Sequence, residues 1–299
     1  MKLNQIMALT PGKECETVAT GFQHLDHLTG GLRTGQLCTI AARPGMGKTA
    51  FAVSLLRNIG VVQKVPTAYF SLELSELEIM RRLKASITGS WKIVPYRETT
   101  PPVEVIDEMD KIGFHLEKGR NIEQEAMQMM KEAPVWIEHD LGVDMDEIVS
   151  CIEQLHQENQ VRVVIIDSMH GIRCANNHTE QSQALRKLYQ AADRLKIAVI
   201  LTIGVNHSVE TRGGPKRPCL IDLKDWYQLE TFSSTVMFVY RPEYYYLDTF
   251  EDITPSKDMA DIMVEKNIFG RTGFVRMHFD NHAGFREIPY DDNDESTHL

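Results

Sequence analysis

Residues 37–58 constrain the fold of this chain more than any other stretch. The apolar run Leu37–Ala41 reads as a short buried strand, and Ala50 to Asn58 carries apolar residues at helical spacing. Between them ARPGMGKT, Ala42 to Thr49, supplies a tight Gly-containing turn that opens a helix on Lys48-Thr49. Strand, turn and helix in that order form the setting of a P-loop and commit the chain to an α/β architecture that binds ATP or GTP. Backbone N–H groups at the helix N-terminus face phosphates, the helix dipole adds positive potential, and Lys48 adds a full charge. The Thr49 hydroxyl is placed to ligate a magnesium ion bridging the last two phosphates. Arg43, Pro44, Gly45, Met46, Gly47, Lys48, Thr49 and Ala50 are thus the candidate nucleotide cradle. The first Gly of the strict GxxxxGK[ST] pattern is Ala42 here. The competing reading, a chance GKT in an ordinary loop, is disfavoured by the strand before and the helix after it.

At 299 residues the chain has room for one large domain or two small ones. No apolar run approaches the roughly 18 to 20 residues of a membrane span. The start, MKLNQIMALTPGKECE, has neither a long apolar core nor a small-residue cleavage site, so it does not read as a signal peptide. Cys15, Cys38, Cys151, Cys174 and Cys219 stand singly with no CxxC, which predicts reduced thiols in a cytoplasm and no zinc site. A net charge of −10 excludes a protein coated in basic surface, so any nucleic-acid contact is local, in a groove or pore.

Beyond the P-loop, apolar segments alternate strand-like and helix-like. Strands are predicted at Thr67–Ser71, Val135–Glu138, Val161–Ile166, Ile197–Ile203 and Thr235–Tyr240, and helices over 48–60, 75–88, 143–159 and 181–195. Near-continuous apolar strands alternating with helices indicate a mostly parallel twisted sheet covered on both faces. From Met259 onward short strands with Gly turns (Gly270, Gly273, Gly284) suggest an antiparallel C-terminal edge. The division expected is a short lead-in over 1–20, one domain over 21–289, and an acidic disordered tail over 290–299. Residues 90–133 read as irregular, ending in a charged helix around 122–132 whose Met127, Met129 and Met130 read as packing.

A nucleoside triphosphatase needs a carboxylate to hold hydrated magnesium and a base for the attacking water. Asp167 ends the apolar run Val163–Ile166 at a strand C-terminus, the edge where ligands sit in open α/β sheets. The bland reading of Asp167, a cap on the following turn, is weaker beside a P-loop. Glu73 follows one strand and precedes the helix near Ser75, and by itself reads equally as the base or as a helix-start glutamate. Arg212, Lys216 and Arg217 flank Gly213-Gly214-Pro215 in a basic loop, either a solvated charged loop or a contact for two or three phosphates. Arg241 and Tyr244-Tyr245-Tyr246 are candidates to stack on a base, with aromatic core packing as the alternative.

The blocks TGFQHLDHLTGGL, AARPGMGKTAFA, YFSLELS, VVIIDSMH, KRP…LIDLKD and VYRPEYY occur in order over about Thr20 to Pro289. Together they resemble the C-terminal ATPase domain of DnaB-type replicative helicases, a RecA-like P-loop fold that also lacks the first Walker A Gly. The resemblance implies that Glu73 is the catalytic glutamate and Asp167 the Walker B aspartate. It implies ATP and Mg2+ as cofactors, a hexameric ring with ATP sites between subunits, DNA-binding loops facing single-stranded DNA in the pore, and loader or replication proteins as partners.

The departures from that family are specific. Its γ-phosphate-sensing Gln, after the strand ending near Ile203, is Gly204 here, with Asn206 or His207 as candidate substitutes and an exposed loop histidine as the equal reading of His207. Its KxRxG segment, which supplies a lysine and an arginine finger to the neighbouring subunit, reads Lys266-Asn267-Ile268-Phe269-Gly270-Arg271. Lys266 matches, Ile268 stands at the finger, and Arg271 lies three residues later. An arginine finger is worth about 10³ to 10⁵ in turnover in related phosphoryl transfers. The RESGSIEQDAD segment is altered at Lys224 to Glu230, and the family's N-terminal helical domain and linker helix have no counterpart in the sequence. Two functions lead, a DnaB-type ATP-dependent helicase or translocase and a weakened nucleotide-binding accessory protein derived from one; a different RecA-fold ATPase, such as a recombinase paralogue or a clock-type kinase, fits the order of the blocks less well.

Overall fold

The computed structural model describes residues 16–89, 121–139, 143–173, 178–211, 216–223 and 228–288. The chain enters through β1 (Thr17–Val18), which pairs antiparallel with β2 (Leu32–Arg33) across helix α1 (Gln23–Thr29). This ribbon falls in part within the stretch read as a lead-in, and Val18 is buried. The remaining segments alternate. They are β3 (Leu37–Ala42), α2 (Lys48–Leu56, continued by a wider π-helical turn at Arg57–Val62), β4 (Thr67–Ser71) and α3 (Glu76–Thr88). A helix α4 over 121–131 then precedes β5 (Val135–His139), α5 (Met145–Asn159), β6 (Val163–Asp167), α6 (His178–Leu195) and β7 (Ala198–Gly204). Two short helices, α7 (Ser208–Thr211) and α8 (Leu229–Phe232), lead to β8 (Ser233–Tyr240), β9 (Met259–Asn267), β10 (Gly273–Asp280) and β11 (Gly284–Glu287).

Among the described residues the main sheet runs β11-β10-β9-β8-β3-β7-β6-β4-β5. Its pairings from β8 to β5 are parallel, and β9, β10 and β11 join antiparallel. The expected antiparallel edge is therefore present. The two faces bury separate cores. Ile166, Leu188 and Leu201 lie in one, and Phe51, Ile165 and Ile200 in the other. Adjacent strand residues point to opposite faces, which is why the parallel strands read as unbroken apolar runs.

Helix α2 carries the P-loop lysine and is buried throughout Phe51–Leu56. It lies between the sheet and α3 with β11, so it needs apolar residues all round. Phe51 is fully buried, 5.8 Å from Phe22 and 5.1 Å from Phe285 between ring centroids. Burying it contributes about 2 kcal/mol. The ends of the helices follow their side chains. Ser75 accepts from the Glu78 N–H at the start of α3, and Asp144 with Glu147 forms a reciprocal capping box on α5. Helix α1 has no such cap of its own. The Glu287 carboxylate on β11 accepts from the Gln23 and His24 N–H groups instead, at 2.7 and 2.5 Å, and fastens the start of the domain to its last strand.

The acidic tail lies outside the described residues. So do residues 90–120, the Gly213-Gly214-Pro215 segment and Lys224 to Tyr227. No helix among the described residues is long and apolar enough to cross a membrane.

Candidate nucleotide and magnesium site

The C-terminal ends of β3, β4, β6 and β7 meet at one edge of the sheet, and the P-loop residues 43–47 connect β3 to α2 there. The loop glycines are required by shape. Gly45 and Gly47 have φ of +82° and +97°. A Cβ on Gly45 would stand 2.6 Å from the Tyr244 ring, and one on Gly47 would stand 2.8 Å from Phe279. Gly47 is the N-cap of α2 and no side chain caps the helix, which leaves its first-turn N–H groups for an anion. The Thr49 hydroxyl takes no hydrogen-bond partner among the described residues.

Lys48 lies between two carboxylates. Its Nζ is 3.4 Å from Asp167 Oδ1 and 3.7 Å from Glu73 Oε1, and 3.5 Å from Thr202 Oγ1. Asp167 is buried, whereas the Glu73 side chain is 44% exposed. Strand β7 intervenes between β3 and β6, so Asp167 is one strand removed from the P-loop strand, and Thr202 on β7 bridges the gap by donating to Asp167 Oδ1. The Tyr69 hydroxyl donates to Asp167 Oδ2 at 2.8 Å. Burial, reinforced by the Asp167 charge, holds the Tyr69 phenol well above its ordinary range, so it stays a donor. The Ser168 hydroxyl donates to Glu73. Backbone donors and an ammonium suit phosphates, and a hydroxyl beside a buried carboxylate suits a hard, partly hydrated cation. The donor set fits a magnesium–nucleoside triphosphate.

Other expected site residues are placed differently. Arg43 lies in the loop, but its guanidinium donates to Val205 O (2.8 Å) and Glu210 Oε1 (2.9 Å). Arg241 is 7% exposed, lies 3.8 Å over the Phe279 ring and donates to Gly45 O at 3.2 Å. It braces the loop from beneath and offers no open face to a base, a correction to its reading as a stacking group. Of the tyrosine run, Tyr244 packs on Gly45, Tyr245 is partly buried against both cores, and Tyr246 is almost fully exposed.

Arg217 also departs from expectation. It pairs with Glu251 (2.7 Å) and the fully buried Asp261 (3.3 Å), which Arg276 also engages at 2.8 Å. Tyr240 and Phe274 flank its guanidinium at 5.2 and 5.5 Å. A buried carboxylate demands such partners, so Arg217 has a structural task that a loop charge does not advertise. Lys216 donates to Glu210 O, and Arg212 lies outside the described residues.

Lys266 and Arg271 sit at the far end of the sheet. Lys266 pairs with Val236 midway along β8 and its Nζ donates to Glu230 O, whereas the P-loop follows the level of Phe238 to Tyr240. Arg271 lies further along the same direction, beside Leu28. Neither is positioned for the nucleotide of its own chain. Ile268 is 57% exposed, and Phe269 packs under Arg33 at 4.0 Å. His207 is largely exposed and paired with Glu210 (3.1 Å), away from Lys48. The space at Gly204 is taken instead by His170, whose Nε2 accepts the Gly204 N–H at 2.9 Å. Thr202, Tyr69, Ser168 and His170 were absent from the expected site. The single polar residue in an otherwise apolar β7 was the one signal for Thr202.

A family model for the DnaB-like helicase C terminal domain matches residues 17–286. The chain is 30% identical over 279 residues to the replicative DNA helicase DnaB of Buchnera aphidicola subsp. Baizongia pistaciae, covering 91% of this chain and 56% of that protein. It is 28% identical over 272 residues to the DnaB of Geobacillus stearothermophilus, covering 89% and 55%. It thus spans about half the length of the curated relatives it matches. Its fold superposes on a solved ATPase domain with a TM-score of 0.76 and 26% identity, covering 96% of both chains. It also superposes on a DnaB-like replicative helicase solved with its interactions with primase, with a TM-score of 0.75 and 25% identity, covering 96% of this chain and 67% of that one. The fold is RecA-like.

Proposed function

Because the chain belongs to the DnaB-like helicase C-terminal domain family, we propose that it is an ATP-hydrolysing motor domain that binds Mg2+-ATP and couples hydrolysis to movement on single-stranded DNA. The observation that carries this reading is the convergence of Lys48, Asp167 and Glu73 within 3.7 Å at the C-terminal edge of the sheet. The residues 43–50 and Lys48 hold the phosphates, Thr49 and Asp167 hold the hydrated magnesium, and Glu73 takes the proton of the attacking water. When bound, the magnesium offsets the charge developing on the transferred phosphoryl. The nucleotide domain of this reading covers 21–289, with β1 (Thr17–Val18) added at its start.

Self-association into a hexameric ring gives Lys266 and Arg271 a role, since they sit too far from their own P-loop and would meet a neighbour's nucleotide. In such a ring Lys216, with Arg212 by its place in the sequence, is the candidate contact for DNA, Arg217 being held in its ion pairs. Loader proteins or a primase-like partner and a cytoplasmic setting belong to the same reading.

A second reading, a weakly hydrolysing accessory protein, is favoured by one observation: the finger position is the exposed, apolar Ile268. Steady-state phosphate release with and without single-stranded DNA, alongside native mass, separates the two. The motor reading expects a severalfold rise with DNA and an oligomer. A flat response from a monomer supports the accessory reading.

A further inference from the structure

The root of the segment that runs from β7 toward Lys216 is gripped from two sides. Arg43 of the P-loop donates to Val205 O at 2.8 Å and to Glu210 at 2.9 Å, and Glu210 O in turn receives Lys216 Nζ at 3.0 Å. One residue earlier, His170 Nε2 accepts the Gly204 N–H at 2.9 Å. His170 lies on the short 3₁₀ turn Met169–Gly171 directly after β6. That turn is locked to the catalytic edge. Ser168 donates to Glu73, and a Cβ on Gly171 would stand 2.5 Å from Leu72 Cβ and 2.7 Å from Leu72 O, so turn and Glu73 segment are in close contact.

Gly204 is explained by the same ring. Its backbone is outside the left-handed region, so conformation does not demand glycine; space does. A Cβ there would stand 2.7 Å from His170 Nε2 and 3.3 Å from its Cδ2. The imidazole thus fills the volume that a side chain at 204 would enter, and replaces a side-chain contact with a ring-to-backbone one. For Nε2 to accept, the ring proton sits on Nδ1. His170 itself is exposed, so its ring is a strut on the rim of the site and not part of either core.

We propose that His170 is a positioning residue that transmits the state of the Glu73–Ser168 edge to the end of β7, and so to the segment carrying Lys216. The role rests on the motor reading above. A shift of Glu73 and Ser168 when phosphate enters or leaves displaces the 169–171 turn, and the His170–Gly204 bond carries that displacement to the next strand. This is a contiguous chain of packed and hydrogen-bonded groups, each with a named partner.

The test compares the unsubstituted chain with His170→Ala and His170→Gln, measuring ATP turnover with and without an oligothymidylate strand. In His170→Ala the DNA stimulation ratio is expected to fall below a third of its original value, with KM for ATP within twofold. His170→Gln, whose amide oxygen reaches the Gly204 N–H, is expected to restore at least half of the ratio. An unchanged ratio in His170→Ala, or no recovery in His170→Gln, overturns the proposal. A second cycle needs no turnover. Gly204→Ala is expected to lower Tm by several degrees, and to lower it far less in the His170→Ala background; additive losses overturn the pairing. If the unsubstituted chain shows no DNA stimulation, the motor reading fails while this second cycle still decides the pairing.

Discussion

Lys48→Ala is expected to abolish measurable ATP binding. Lys48 is the one side-chain cation within 4 Å of both Asp167 and Glu73 among the described residues, and removing it leaves two carboxylates facing the incoming phosphates. Two charge-assisted contacts to phosphate oxygens, at roughly 1.5 to 3 kcal/mol each, translate into about two to four decades of affinity. The fold is expected to survive, because Asp167 keeps its bonds from Tyr69 and Thr202. Titration with a fluorescent ATP analogue checks the loss, with thermal unfolding as the control for folding. An unchanged affinity in a folded variant would remove residues 43–50 as the nucleotide cradle.

Glu73→Gln is expected to separate hydrolysis from binding. The amide keeps the size of the side chain and an acceptor for Ser168 but does not take a proton from water. General-base assistance contributes about 10² to 10⁴ in rate, and turnover is expected to fall by that factor with KM changed only a few-fold. Stability should hardly move, since the carboxylate is nearly half exposed. A variant that hydrolyses ATP at the original rate would return Glu73 to the other role it has in sequence, a glutamate at a helix start.

These residues were legible because each stands at the end of an apolar run. Lys48 and Glu73 come after β3 and β4, Asp167 is the last residue of β6, and a parallel sheet brings the ends of such strands to one edge. The strand Thr67–Ser71 matched to the residue, while Val161 is buried but outside the ladder, because β6 begins only after Arg162 N–H bonds to Pro66 O. The β1–β2 ribbon escaped notice since two-residue strands carry no periodicity.

Strand order was not legible. That β7 lies between β3 and β6 is what makes Thr202 the bridge from Lys48 to Asp167, and periodicity carries no information on it. Arg217 was misread for a related reason. A basic residue beside Gly and Pro says nothing of Asp261, 44 residues later on β9, which lies buried and takes its charge. Gly204 and Ile268 stood out as departures from the family pattern, but the partner of the first, His170, became visible only once β6 and β7 were side by side.

In the proposed function, residues 43–50 with Asp167 form one site for magnesium-bound ATP. Calorimetric titration of the unsubstituted chain with ATP, in magnesium and then in excess EDTA, tests it most directly. The expected result is one nucleotide bound per chain, displaced by ADP, with affinity at least tenfold weaker once the metal is removed. No saturable binding, or binding indifferent to the metal, would contradict it.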